Sequence, residues 1–205
     1  MLGFGLATVL FSESYKTLGL YIISLGVFHF SEYFVTAIFN PDRVKLGSFM
    51  YDPVPGYHYA IGFSILEWFL TRWILPQWVW SYFAIIQFIG FIMVIFGHYF
   101  RSGAMIEAST SFNHYVQYKK ADDHALITSG VYQYSRHPSY FGFFYWCIGN
   151  QLLCFNPISA SAFSFVLYKF FSERIEVEER YLVSFFGKEY EDYRSKVPTR
   201  LPFIN

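Results

Sequence analysis

Arg136-His137-Pro138 stands between tyrosines in SGVYQYSRHPSYFG, residues 129–142, a polar and punctuated stretch ahead of an apolar run. Gly130 permits a turn. Proline suits the first turn of a helix, where its missing N–H would be unpaired anyway. That puts His137 near the cap and leaves the backbone N–H groups of Ser139 and Tyr140 free at the helix start. Such a start is a ready anion site, through its open donors and the helix dipole. A plain helix start at a membrane interface, with Arg and Tyr as lipid anchors, accounts for the same residues about equally well. The motif alone does not choose between the two.

A second polar cluster lies at residues 170–186, FFSERIEVEERYLVSFF. On a helix Arg174 and Glu178 are i and i+4, and Glu178 and Tyr181 are i and i+3, so they share one face. Glu173, Glu176 and Glu179 lie near or beside it. A solvated helix surface explains Glu173 and Arg180 well. It explains less well why four acids gather where a helix leaves an apolar run. No zinc-type Cys/His spacing occurs, and His114, His124 and His137 are too irregularly spaced for a metal site.

These groups need elements to hold them, and the composition says where those elements lie. The 205-residue chain is 54% hydrophobic and 24% aromatic but only 15% charged, against about 25% charged in soluble domains. A bilayer supplies the missing apolar surroundings, with interfacial aromatics as anchors. Apolar segments fall at 2–11, 17–39, 57–75, 77–100, 140–155 and 158–171. A span takes roughly 20 residues, which the second, third and fourth satisfy. The first is short unless residues 12–15 extend it. The last two, parted only by Asn156-Pro157, read as a helical hairpin whose second arm continues beyond the bilayer through 173–186. The expected fold is all-α: a polytopic integral membrane bundle of five or six spans. It forms one domain over 1–205, with N-terminal spans in 1–100 and a catalytic region in 101–205.

Basic residues set the orientation. Arg43 and Lys45 follow the second segment; Arg101, Lys119, Lys120 and Arg136 follow the fourth; Arg174 to Arg200 close the chain; the other side receives Lys16 and Arg72. By the positive-inside rule the 101–139 connection and the C-terminal tail face the cytosol together. A polar site can assemble between them. The zero net charge, without a basic patch, argues against nucleic acid as a partner. Cys147 and Cys154 stand two helical turns apart, too far for a disulfide, and read as packing residues. The run at 2–11 lacks the basic flank and cleavage site of a signal peptide.

Taken together, SGVYQYSRHPSYFG, Asn156-Pro157, RIEVEE, FFGKEYEDY and VPTRLPFI resemble the isoprenylcysteine carboxyl methyltransferase family, eukaryotic type, over residues 100–204. A lone Arg-His-Pro is weaker, since membrane phospholipid methyltransferases and sterol reductases share a similar block. The reductases usually end in a Tyr-Gly and a Trp, where this chain has Phe186-Gly187 and Tyr190. The resemblance implies methyl transfer from S-adenosyl-L-methionine to the C-terminal carboxylate of a farnesyl- or geranylgeranyl-cysteine in CaaX-processed proteins. It also implies a multi-pass protein of the endoplasmic reticulum membrane, with a lipid-anchored substrate arriving from the membrane.

The roles it implies fall on matching residues. The cofactor contacts are Gln117, the stretch His124, Ala125, Leu126 and Ile127, then Tyr132, the unit His137, Pro138, Ser139 and Tyr140, and Glu178. Ala125 and Ile127 also suit a simple hydrophobic wall. Arg174 is the guanidinium expected to hold the substrate carboxylate, with Arg101 as a second substrate contact or an interfacial anchor. No metal is required. Glu67 and Arg72, in or near the third span, are functional candidates by location, or a structural pair. Glu32, His29, His58 and His98 are expected to make hydrogen bonds in or near the membrane. A sterol-type reductase using a nicotinamide cofactor is the competing reading, and a small transporter a third.

Overall fold

The computed structural model describes residues 1–50, 56–120 and 124–204. Seven α-helices follow one another among the described residues: α1 (Leu2–Phe11), α2 (Lys16–Phe39), α3 (Tyr57–Ile74), α4 (Ala84–Ala108), α5 (Pro138–Cys154), α6 (Pro157–Phe186) and α7 (Lys188–Lys196). Among the described residues there is no strand. Two stretches among the described residues, Glu13–Phe39 and Trp78–Ser111, are long and apolar enough to cross a membrane. Residues 12–15 do not lengthen α1: Ser12 is extended and a 3-10 turn at Glu13–Tyr15 leads into α2 instead. α6 has 30 residues, about 45 Å at 1.5 Å per residue, so it outruns a hydrocarbon core of about 30 Å. The expected extension through 173–186 is one continuous helix with the hairpin arm.

α4 departs from the expectation that the fourth segment ends near residue 100. It continues to Ala108, so the first eight residues of the expected 101–139 connection are helical. Arg101 suggests a membrane boundary in the sequence, yet it is buried inside the bundle, where an ion pair replaces the water it would otherwise need. Beyond it, Ala104, Met105, Glu107 and Ala108 are good helix formers.

α4 and α5 pack most extensively, and glycine makes this possible. A methyl group built on Gly97 would lie 2.4 Å from the Trp146 N, and one on Gly142 would lie 2.5 Å from the Arg101 N. Gly90 and Gly149 repeat the contact two turns away. Backbones this close characterise small-residue helix packing in membranes. The contact fixes the rotation of both helices, so that Arg101 meets the start of α5. Beside it Phe28 of α2 stacks on Trp146 with centroids 4.2 Å apart.

At the far end of the bundle the carboxylate of Glu67 accepts from the backbone N–H groups of Ile158 and Ser159, both at 2.7 Å. It therefore caps the buried start of α6 rather than pairing with Arg72, whose guanidinium lies 4.7 Å over the Trp80 ring. At that same end Trp68 Nε1 donates to Thr17 Oγ1. At the other end Asn40 Nδ2 and Arg43 donate to the Phe112 carbonyl. Arg43 thus shares an end with the residues that follow α4, as the charge pattern expects. Cys147 and Cys154 are free and buried.

Candidate active site

The start of α5 is held from three sides. Arg136 Nε and His137 Nε2 both reach Glu179 Oε1 of α6, at 2.5 and 3.1 Å, while Arg194 of α7 stands 3.4 Å from the other oxygen. The tail supplies carbonyls: Val197 and Pro198 accept from Arg136, and Thr199 accepts from Ser135 Oγ. Tyr193 Oη of α7 donates to the Tyr132 carbonyl at 2.6 Å. Burial pushes the Glu179 carboxyl up, but hydrogen bonds from His137 and Arg136, with their charge, outweigh it and hold it near about 2. The sequence placed Glu179 merely beside the polar face of α6. It is the anchor of the Arg-His-Pro motif.

His137 caps α5, and its ring stacks on Tyr140, nearly parallel with centroids 5.6 Å apart. One expectation is corrected here. The Tyr140 N–H donates to the His137 carbonyl at 3.1 Å, because the chain turns tightly through Pro138. Among the described residues that leaves the Ser139 N–H as the donor open at this helix start.

Beside it opens a cleft, part of it open to solvent. Its wall includes Tyr132, His137, Pro138, Ser139, Tyr140 and Glu178. His124, Ala125, Leu126 and Ile127 form another side, together with Arg101. That stretch is tethered by Ala125 N–H to Ser111 Oγ at 3.2 Å, and by His124 against the rings of Phe185 and Phe186. Gln117 does not reach the wall; its amide donates to the Tyr115 carbonyl. The wall also takes Leu182 and Phe186. These lie four and eight residues past Glu178, a helical spacing that could have found them from the sequence.

Arg174 stands just outside this wall. Its Nε donates to Tyr140 Oη at 2.8 Å, and a terminal nitrogen donates to the His114 carbonyl. Tyr140 Oη in turn donates to Glu178. One phenol therefore joins the two polar residues of α6 that lie a turn apart. Of the five guanidinium donors, three, on the two terminal nitrogens, have no hydrogen-bond partner among the described residues.

Arg101 is engaged. Its Nε and one terminal nitrogen grip both oxygens of Glu32, at 2.7 and 2.8 Å, and the other terminal nitrogen donates to Ser139 Oγ at 2.6 Å. His114 Nε2 stands 2.9 Å from Glu32. Glu32 is 2% exposed, and removing one partner of such a buried pair costs about 3–5 kcal/mol. Arg101 therefore orients the start of α5 as it stands, rather than acting as an interfacial anchor. Among the described residues no group of three or more His, Cys, Asp or Glu is arranged to hold a metal.

Comparisons with known proteins agree with this architecture. The model of the isoprenylcysteine carboxyl methyltransferase family matches residues 88–184. Protein-S-isoprenylcysteine O-methyltransferase of Saccharomyces cerevisiae is 46% identical over 194 residues, covering 93% of this chain and 81% of the relative. The Homo sapiens protein of the same name is 44% identical, over 98% of this chain and 71% of its own length. The solved structure of a eukaryotic intramembrane Ras methyltransferase, an isoprenylcysteine carboxyl methyltransferase, superposes with a TM-score of 0.92 at 38% identity, covering 99% of this chain and 74% of that one. With identity of this level over nearly the whole chain and two thirds or more of each relative, the chain belongs to the isoprenylcysteine carboxyl methyltransferase family.

Proposed function

We propose that this integral membrane protein methylates the C-terminal carboxylate of prenylated cysteine, with S-adenosyl-L-methionine as the methyl donor. Family membership supports the reaction and disfavours the nicotinamide-dependent reductase. The observation that carries the residue assignment is the Arg174–Tyr140–Glu178 chain, which joins a guanidinium at the rim to a carboxylate on the cleft wall.

The cleft's donor set fits this cofactor. An amino-acid head needs a donor for its carboxylate and an acceptor for its ammonium, which the Ser139 N–H and Glu178 supply. Glu178 equally suits a ribose hydroxyl. A flat base needs apolar walls, which Leu126, Ile127, Leu182 and Phe186 offer. The bound cofactor brings a sulfonium methyl that is already electrophilic. A terminal carboxylate with pKa about 3.5 is ionised at neutral pH, so the protein has no proton to remove. Its task is alignment, worth as much as roughly 7–11 kcal/mol. Arg174 grips one oxygen of the substrate and leaves the other to attack. Tyr140 holds Arg174 relative to the cofactor side, and His137 holds Tyr140 by stacking. Gln117 joins the cofactor only if the 112–120 segment shifts.

The prenyl chain remains in the apolar phase, since each CH₂ buried there contributes about 0.8 kcal/mol, and it approaches between helices rather than through the cleft. Helices α2 to α6 span the endoplasmic reticulum membrane, and the cleft faces the cytosol. The test is transfer of radiolabelled methyl to a farnesylcysteine analogue by purified protein in detergent. Absence of labelled ester from a folded preparation that binds the cofactor overturns the assignment.

A further inference from the structure

Glu32 lies in α2, far in sequence from every residue assigned a role above, yet it is the acceptor on which Arg101 and His114 converge. Its carboxylate takes two bonds from Arg101 and one from His114. The Arg101 branch ends on Ser139 Oγ, on the cofactor side. The His114 branch continues through that residue's own backbone, because the His114 carbonyl accepts from Arg174.

A helix staple would need only the bidentate Arg101 pair. The third bond serves a segment without regular structure: after the 3-10 turn at Ser109–Ser111 the chain has no helix through residue 120. Other contacts steady it nearby. Asn40 and Arg43 donate to the Phe112 carbonyl, and the Phe112 and His114 rings meet edge to face at 5.1 Å. The peptide that follows the His114 Cα has one local partner, its Tyr115 N–H donating to Asn113 Oδ1 at 3.0 Å, which ties it to nothing outside the segment. The ring bond to Glu32 anchors His114 to α2, and that peptide carries the oxygen facing Arg174.

We infer that Glu32 and His114 are positioning residues for methyl transfer: Glu32 holds the His114 ring, and the His114 carbonyl sets the orientation of the Arg174 guanidinium toward the substrate carboxylate. This rests on the function proposed above, specifically on Arg174 as the carboxylate grip. A misplacement near 1 Å from a residue outside the chemistry costs as much as about 100-fold in rate, which is the effect to look for.

The experiment compares wild type, His114→Ala and His114→Gln. Ala removes the ring bond while leaving the Glu32–Arg101 pair in place, and Gln restores a donor. Three quantities are read for each: kcat with a farnesylcysteine analogue, calorimetric affinity for S-adenosyl-L-methionine, and melting temperature. The expected result is a fall in kcat of roughly ten- to a hundredfold for Ala, substantial recovery with Gln, and cofactor affinity and melting unchanged. Wild-type kcat in His114→Ala overturns the inference. So does a loss of cofactor affinity, which makes His114 a cofactor contact, and so does a kcat loss that follows melting in both variants, which makes the network a staple. Failure of the function proposal itself shows separately, as a wild-type protein that transfers no methyl.

Discussion

Arg174→Lys separates alignment from charge. Lysine keeps one positive charge but replaces a planar fork with a single ammonium on a flexible stem. In the structure the fork reaches two acceptors in different directions, Tyr140 Oη at 2.8 Å and the His114 carbonyl. An ammonium at the end of a lysine cannot reach both and also face a substrate oxygen. At least one charge-assisted bond is lost, worth about 1.5–3 kcal/mol. At 1.36 kcal/mol per tenfold, that is a fall in kcat of roughly 10- to 150-fold. Cofactor binding should change little, since Arg174 lies outside the cleft wall and Glu178 keeps its tyrosine partner. Paired titrations measure this, one varying S-adenosyl-L-methionine and one varying the prenylcysteine analogue, with calorimetry on the folded variant. Loss of cofactor affinity with kcat intact would refute the reasoning, and full activity in both titrations would reduce this face of α6 to a solvated surface.

Glu178→Gln should show the opposite split: a raised cofactor KM and a nearly unchanged prenylcysteine KM, because an amide lacks the charge that meets the ammonium. Glu179 gives a prediction in pH. Its folded pKa is depressed from 4.5 to about 2, so its contribution to stability is complete above about 4.5 and is lost as pH falls toward about 2. The shift corresponds to roughly 3 kcal/mol. Melting temperature followed from pH 6 to pH 3 should therefore drop more steeply for wild type than for Glu179→Gln, which begins lower at neutral pH; parallel curves would place the acid sensitivity elsewhere.

Much of this protein was legible in one dimension. A charge deficit and long apolar runs require a membrane, and proline at the first turn of a helix fixes where α5 starts. Spacing of i and i+4 puts Arg174 and Glu178 on one face whatever surrounds them, and two cysteines two turns apart have to remain free. These are consequences of composition and of the helix's own geometry, which hold locally. Pairings across the bundle are not of that kind. Glu178 and Glu179 are neighbours pointing about 100° apart on a helix of 3.6 residues per turn. Only the rotation of α6 against α5 decides that Glu179 locks Arg136 and His137 while Glu178 meets Tyr140. Likewise Arg101 marks a membrane boundary in the sequence and a buried ion pair in the fold, because its partner Glu32 is 69 residues away. The close approach of Gly97 and Gly142 turns α4 so that the guanidinium faces Ser139. A carboxylate's partner is set by which helix faces meet, and that is a property of packing that no spacing along the chain contains.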